Sequence, residues 1–387
     1  MPRTLSADET TPRWLSWLIA LVPVIPPLYF VAFGGLNQLG RFTRPVKWVL
    51  ALFVVCQLVA ALFTPYPADS LVLAALRCLF MLALLGAGVY LGSSRRLLPA
   101  LWGLILVYLT AWVSSAYTYR NDLLHVRLGH PYVYIVSLGL YAVIGFWMVI
   151  AWKGGWRFWK LLAALLALAT LVAAGSRGPL LAMGFGSLAA LLRGGRRYLI
   201  PIATLAALGL AALGLGILHN HSPFERLGTT GLTGRNHVWN EALRAFAAHP
   251  VGGVGPYQLG PYLPYLYRNG CMLTPLMAAN HVGCPPLLQH FRGAWLIAHD
   301  VLLQSLGESG VVGTVGLAAL FVLVALAVWR SRDPFLAAIF WGFLAMSTVD
   351  VLTAVPSIGM AELFWVCAGV ALWRSGGVVG GLLAPAD

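Results

Sequence analysis

Apolar stretches long enough to cross a lipid bilayer follow one another along most of this chain. That succession constrains the fold more than any motif does. The runs at 14–33, 48–63, 71–91, 97–117, 132–152, 161–174, 180–192, 199–218, 311–329, 334–355 and 360–373 are separated by polar loops, most of them short. A helix of roughly 20 apolar residues spans the hydrocarbon core. Only 10% of the 387 residues are charged and mean hydropathy is +0.82, whereas about a quarter of a globular domain is charged. The chain therefore reads as an all-α polytopic integral membrane protein with about 11–12 transmembrane helices. Continuous runs exclude a β-barrel, whose strands alternate. No small-residue cleavage site follows a short apolar core in the first run, so a removed signal peptide is not expected. That run contains Pro23, Pro26 and Pro27. It is either one kinked helix, giving 11 spans and an outside N-terminus, or a broken pair, giving 12 and an inside one. No internal repeat is visible.

The formal net charge of +13 is distributed by topology. Basic residues collect on alternate connections, at 41–47, 93–96, 153–160, 193–197, 330–333 and after the last run. This is the positive-inside pattern and places those loops in the cytoplasm. It removes the reason to read the basicity as nucleic-acid binding. The opposite side then receives the 119–130 loop, a break at 175–179 and a long polar island at about 218–297. The expected organisation is an N-terminal transmembrane bundle (1–218), a large loop domain on that opposite side (219–298) and a C-terminal transmembrane segment (299–387). Cys56, Cys78 and Cys367 lie in apolar runs and read as inert. Cys271 and Cys284 both lie in the island. An extracytoplasmic island permits a disulfide between them, and spacing alone leaves bridged and free forms equally open.

The residues able to do chemistry cluster on the island side. Ser176-Arg177-Gly178-Pro179 puts a guanidinium where one run ends and the next begins. Proline suits the first helical position, so a helix is expected to start near Pro179 and point its amide-rich end at the same anion as Arg177. The bland alternative is an arginine snorkelling to headgroups. A Gly-rich turn ending in Gly234-Arg235 leads into a helix with Val238, Trp239, Ala242, Leu243 and Phe246 on one apolar face, ending near His249-Pro250. It is expected to lie on the membrane surface or cap the bundle. Gly252-Gly253-Val254-Gly255-Pro256-Tyr257 allows close backbone approach. Tyr257, Tyr262, Tyr265 and Tyr267 suit either sugar stacking or an interfacial aromatic belt.

Ala298-His299-Asp300 then opens an amphipathic turn closed by Glu308-Ser309-Gly310. A neutral imidazole beside an anion site takes a proton from a hydroxyl at physiological pH. His219, His221, His237, His249, His281 and His290 read as solvent-facing. No histidine pair has a metal-binding spacing and no Asp-x-Asp occurs in the outside loops, so no metal or other cofactor is expected. Arg77 and Asp350 fall inside apolar runs, where a mutual pair or snorkelling are both open.

In order, Ser176-Arg177-Gly178, Gly234-Arg235 with Trp239, Gly252-x-x-Gly255, and His299 with Leu303, Glu308 and Gly310 resemble the O-antigen ligase and O-antigen polymerase superfamily. These are bacterial envelope glycosyltransferases with a GT-C-type membrane fold. The resemblance implies a glycan donor linked to undecaprenyl diphosphate, presented at the periplasmic face of the inner membrane. The acceptor is lipid A–core or another glycan. It further implies metal-independent, inverting transfer, with Arg177 and Arg235 binding diphosphate and His299 activating the acceptor hydroxyl. Ser176, Gly178, Asp300 and Glu308 would support them. Many members carry serine or asparagine after the histidine. Here Asp300 either favours the imidazolium or orients the ring. A polymerase and a protein O-oligosaccharyltransferase share the donor. A lipid or solute transporter would place its polar groups at the midplane of repeated halves, which this chain does not do.

Overall fold

The computed structural model describes residues 13–21, 25, 28–120, 126–131, 133–152, 154, 157–218, 235–263, 297–355 and 361–378. Cys271, Cys284, Tyr265, Tyr267 and the island histidines at 219, 221, 281 and 290 lie outside the described residues. The apolar runs fold as helices: α1 (Arg13–Leu21), α2 (Arg44–Leu62), α3 (Pro67–Leu91), α4 (Ala100–Tyr119), α5 (Ile135–Ala151), α6 (Arg157–Ala174), α7 (Arg177–Leu192) and α8 (Leu199–Leu218). After them come α9 (Arg235–Ala248), α10 (Val301–Ser331), α11 (Pro334–Met346) and α12 (Ala361–Arg374). Among the described residues five helical stretches are long and apolar enough to cross a membrane: Arg44–Leu62, Pro67–Leu91, Ser94–Tyr119, Arg157–Ala174 and Val301–Ser331. The protein is an all-α polytopic membrane protein.

The first run is broken. It gives α1, then a turn at Tyr29–Ala32 and a 3-10 stretch at Phe33–Arg41, as three prolines in five residues demand. The tenth run is shorter than its apolar sequence. α11 stops at Met346, Ser347 caps it, and 351–355 is not helical.

Lipid gives helices no hydrophobic reason to associate, so close packing must hold the bundle. Glycines supply it. The fully buried Trp147 of α5 wedges between α7 and α11, because Gly186 and Gly342 have no Cβ; one added at either would lie 2.5 Å from the indole. The Trp147 indole N–H donates to Ser187 at 2.9 Å. Gly88 of α3 and Gly369 of α12 likewise bring two backbones together.

The bundle has two chemically different ends. At one end the basic connections meet: Thr43 N–H donates to Gly377 C=O at 3.0 Å, Arg41 lies over Trp373, and the 94–98, 194–198 and 332–335 segments line one cavity. The other end holds the α6–α7 break, the start of α10 and the end of α11.

The two ends are joined by α10, which is bent at Gly310 (φ 57°, ψ −163°). The bend interrupts the helical ladder, and the turn after α9 fills the gap. Val311 N–H donates to Pro250 C=O (2.8 Å) and Val312 N–H to Val251 C=O (3.3 Å), while Gly307 and Glu308 carbonyls accept from Val254 and Gly255 (2.9 Å each). Gly253 (φ 70°) and Gly255 (φ 112°) let this backbone lie against α10. A buried carboxylate anchors the junction. Glu308 is 2% exposed and pairs with Arg77, about 15 Å along α3 from its start. Its other oxygen accepts from Tyr257 N–H (2.9 Å) and Gln304 Nε2 (2.6 Å). Arg77 also sits 4.2 Å over the Tyr257 ring. Burial pushes the Tyr257 phenol up to about 12 despite Arg77, and it donates to Val355 C=O. Arg77 therefore pairs with Glu308, and not with Asp350.

Two predictions follow from this junction. Gly310→Ala, with positive φ and a Cβ 2.7 Å from Gly252 N, is expected to destabilise by about 1–3 kcal/mol and lower the unfolding temperature in detergent. Gly34→Ala, whose Cβ meets nothing within 4 Å, is expected to leave it unchanged. Arg77→Met or Glu308→Gln alone strands a buried partner and is expected to cost about 3–5 kcal/mol. The double variant should recover part of that loss; additive losses would rule out the pair as a coupled unit.

Candidate functional site

His299 precedes α10 in the left-handed region (φ 54°), uncommon for any residue except glycine. Its two neighbours explain how it is held there. Ala298 is fully buried and its N–H donates to Gln304 Oε1 at 2.6 Å. Asp300 is the N-cap of α10, accepting from Leu302 N–H (2.8 Å) and Leu303 N–H (2.9 Å). The Asp300 carboxylate is thus committed to the helix start, a favourable place for an anion, and does not orient the ring.

The carboxylate at the ring is Asp350, with His299 Nδ1 3.4 Å from its Oδ1. Asp350 is not inside a helix, as its apolar run suggests, but just beyond the end of α11. There Val349 and Asp350 N–H donate to Met346 C=O (2.9 and 3.0 Å). Asp350 Oδ1 also accepts Val351 N–H at 2.9 Å. Val301 N–H donates to Ser347 C=O at 2.9 Å, which clamps the start of α10 to the end of α11. Both side chains are largely buried, 15% and 7% exposed.

The arginine motifs arrive on two further helix starts. Ser176 is the N-cap of α7 and Arg177 its first residue. Pro179 is therefore the third helical residue rather than the first. Its ring removes one donor from the first turn and leaves the amides of Arg177 and Gly178. Arg127 braces the turn from the 126–131 loop, donating to Ala174 C=O (2.8 Å) and Ser176 Oγ (2.6 Å). Gly178 lies against the segment that carries Asp350: a Cβ there would be 3.2 Å from Met346 Cε and 3.6 Å from Val349 Cγ2.

Arg235 begins α9 and is half-buried. The buried stripe of α9 is Val238, Ala242 and Ala245, packed on Val254, Leu259, Leu263, Ala298 and Leu303. Leu243, expected on that face, is 45% exposed. Small side chains at 242 and 245 allow the close approach to the turn and to α10, so α9 caps the bundle. The start of α7 thus lies against the Met346–Val349 segment that precedes Asp350, and α9 packs in the cluster that contains Ala298, the residue before His299. Glu308 stands apart from this group, as the anchor of the junction. Trp239 holds its indole N–H buried with no hydrogen-bond partner.

Arg127 and Asp350 carry little signal in the sequence. Asp350 shows only as a charge in an apolar run, and nothing local ties it to a histidine 51 positions away. Arg127 is one cation among several in its loop.

His130 stiffens the brace. Its Nδ1 accepts Val133 N–H (3.1 Å), so Nε2 carries the proton toward Thr110 Oγ1 (2.9 Å). Burial lowers its pKa from 6.5 to about 4. Between those values the unfolded chain takes a proton that the folded chain refuses. Its contribution to stability is full above pH 6.5 and lost as pH falls toward about 4. His130→Asn is expected to flatten that part of a thermal-unfolding profile; an unchanged acid slope would contradict the assignment.

Comparison with curated proteins gave no match. Comparison with family models gave one, described as O-Antigen ligase, over residues 162–318. The matched stretch begins in α6, ends in α10, and contains Ser176-Arg177-Gly178, Arg235 and His299. Over residues 162–318 the chain is similar to the O-antigen ligase family.

Proposed function

We propose that the protein transfers a glycan from undecaprenyl diphosphate to an acceptor hydroxyl, as an O-antigen ligase acting on lipid A–core. The reaction would take place at the periplasmic face of the bacterial inner membrane, on the side of the 219–298 island. The observation that carries this reading is the meeting of a histidine–carboxylate pair with an arginine-bearing helix start. His299 faces Asp350 at 3.4 Å, and Gly178, next to Arg177, abuts the same Met346–Asp350 turn.

Nδ1 of His299 lies 3.4 Å from Asp350 Oδ1 without a hydrogen bond between them; a proton held on Nδ1 by the nearby carboxylate would leave Nε2 as the acceptor lone pair. The acceptor hydroxyl gives its proton to Nε2 as its oxygen attacks the anomeric carbon. The bond from that carbon to the diphosphate oxygen breaks with its electron pair. Attack from the face opposite the leaving group inverts the centre. The charge gathering on the diphosphate is met by the guanidiniums of Arg177 and Arg235 and by the first amides of α7, preorganised donors of the kind that stabilise developing anions. Asp350 holds the tautomer and stabilises the imidazolium, and is a positioning residue. This reading routes no step through a metal.

Purified protein in nanodiscs, supplied with an undecaprenyl-diphosphate-linked oligosaccharide matched to its source, tests it. Transfer to added lipid A–core identifies a ligase. A ladder of longer lipid-linked glycans without acceptor identifies a polymerase, and product on protein an oligosaccharyltransferase. His299→Ala is expected to lose about 10²–10⁴-fold in rate with donor binding retained. Arg177→Ala and Arg235→Ala are expected to weaken donor binding as well. Asp350→Asn is expected to lower kcat and shift its pH profile at unchanged donor KM. Full activity in all of these variants would discard the site, and movement of lipid without glycan transfer would favour a transporter.

A further inference from the structure

The basic end of the bundle, opposite the His299 end, encloses a cavity of about 330 Å³. Arg95, Arg196, Arg197, Arg332 and Arg374 line it, contributed by four separate segments, and face one carboxylate, Asp333. That carboxylate is already engaged. It caps α11 through Phe335 N–H (2.9 Å) and accepts from Ser94 Oγ (2.6 Å) and Arg374 Nη1 (3.2 Å). Arg196, Arg197 and Arg332 have no carboxylate partner among the described residues. Positive-inside topology explains basic loops, but it would leave the arginines spread around the rim. Here they converge.

A second observation is independent of charge. Tyr198 lines the same cavity at 3% exposure, and its hydroxyl has no hydrogen-bond partner; Arg374 Nε is likewise buried and unsatisfied. Buried donors are normally satisfied, so these two mark where an acceptor is missing. The remaining wall is apolar, with Leu97, Ile150 and Phe335 on it.

We propose that this cavity binds the phosphate of an anionic glycerophospholipid. Phosphate oxygens would lie on Arg196, Arg197 and Arg332 and accept from the Tyr198 hydroxyl, and the glycerol and first acyl carbons would lie on the apolar wall. Basic pockets between membrane helices take such headgroups. A free phosphate would use the arginines but not the apolar wall. The site is independent of the glycan-transfer reading, from which it is separated by the length of the bundle.

The full-length protein, delipidated in mild detergent, would be titrated with phosphatidylglycerol, phosphatidylcholine or inorganic phosphate. Bound lipid would be read by native mass spectrometry and stability by thermal unfolding. Phosphatidylglycerol should bind saturably and raise the unfolding temperature; phosphatidylcholine and phosphate should not. Arg196→Gln/Arg197→Gln should weaken binding about 25-fold, roughly fivefold per exposed arginine. Tyr198→Phe, which removes only the hydroxyl, should weaken it severalfold. Arg41→Gln/Arg44→Gln, at the same end but outside the cavity, should leave it within twofold. Equal loss in the two arginine doubles would overturn the site in favour of diffuse surface charge. Protection by phosphate equal to that by phosphatidylglycerol would overturn the lipid assignment, and absence of saturable binding would overturn both.

Discussion

Amides and carbonyls freed by a helix break inside a bundle have no water to turn to, and each one left unpaired costs about 1–3 kcal/mol. The bend at Gly310 frees such groups in α10, and the Pro250–Gly255 backbone takes them up. This exchange is possible only with glycine at 253, 255 and 310, because each adopts positive φ at a surface where a Cβ has no room. Glu308, two residues before the bend, ties the same backbone to Arg77 of α3. The turn, the bend and the ion pair therefore stand or fall together. They fix how the first ten residues of α10 project beyond the apolar run that begins at 311.

His299 inherits its position from that projection. Asp300 starts the helix, Val301 N–H reaches Ser347 C=O, and the residue between the buried Ala298 and this cap is left in the left-handed region with its ring toward Asp350. Strained backbone persists only where the surroundings over-determine it. Here a hydrogen bond from Ala298 on one side and the Asp300 cap on the other do so. The arginines are placed on a different principle. Arg177 and Arg235 each stand at a helix start, where main-chain amides and the helix dipole add to the side-chain charge. A proposed anion site made this way is preorganised, since its dipoles are set by the fold before substrate arrives.

The two ends of the bundle divide the positive charge. At the His299 end a few arginines are held by named partners, as when Arg127 grips Ser176 and Ala174. At the basic end several gather around a cavity with a single, already committed carboxylate. The former would suit the proposed diphosphate, which must be released, and the latter the proposed resident lipid. Both readings rest on the same electrostatics, the charge-assisted attraction of a guanidinium for an anionic oxygen.

Much of this was legible in the sequence, because bilayer thickness imposes a local period on the chain. Apolar runs located α2 to α8 and α12 to within a few residues, and α10 from residue 311 onward. Alternating basic loops predicted which connections share an end, and short motifs singled out Arg177, Arg235 and His299. Glycine and proline located the turn after α9 and the break after α1. The sequence was silent or misleading wherever one charge had to choose another. Asp300, adjacent to His299, was the natural candidate for its ring, yet it caps α10, and Asp350 takes that place. Arg77 and Asp350 looked like possible partners, yet Arg77 belongs to Glu308, 231 positions away. Hydrophobic run length is read residue by residue along one helix. Ion pairing depends on which helix ends meet, and that is settled by glycine-mediated contacts among several helices, which no single stretch of sequence contains.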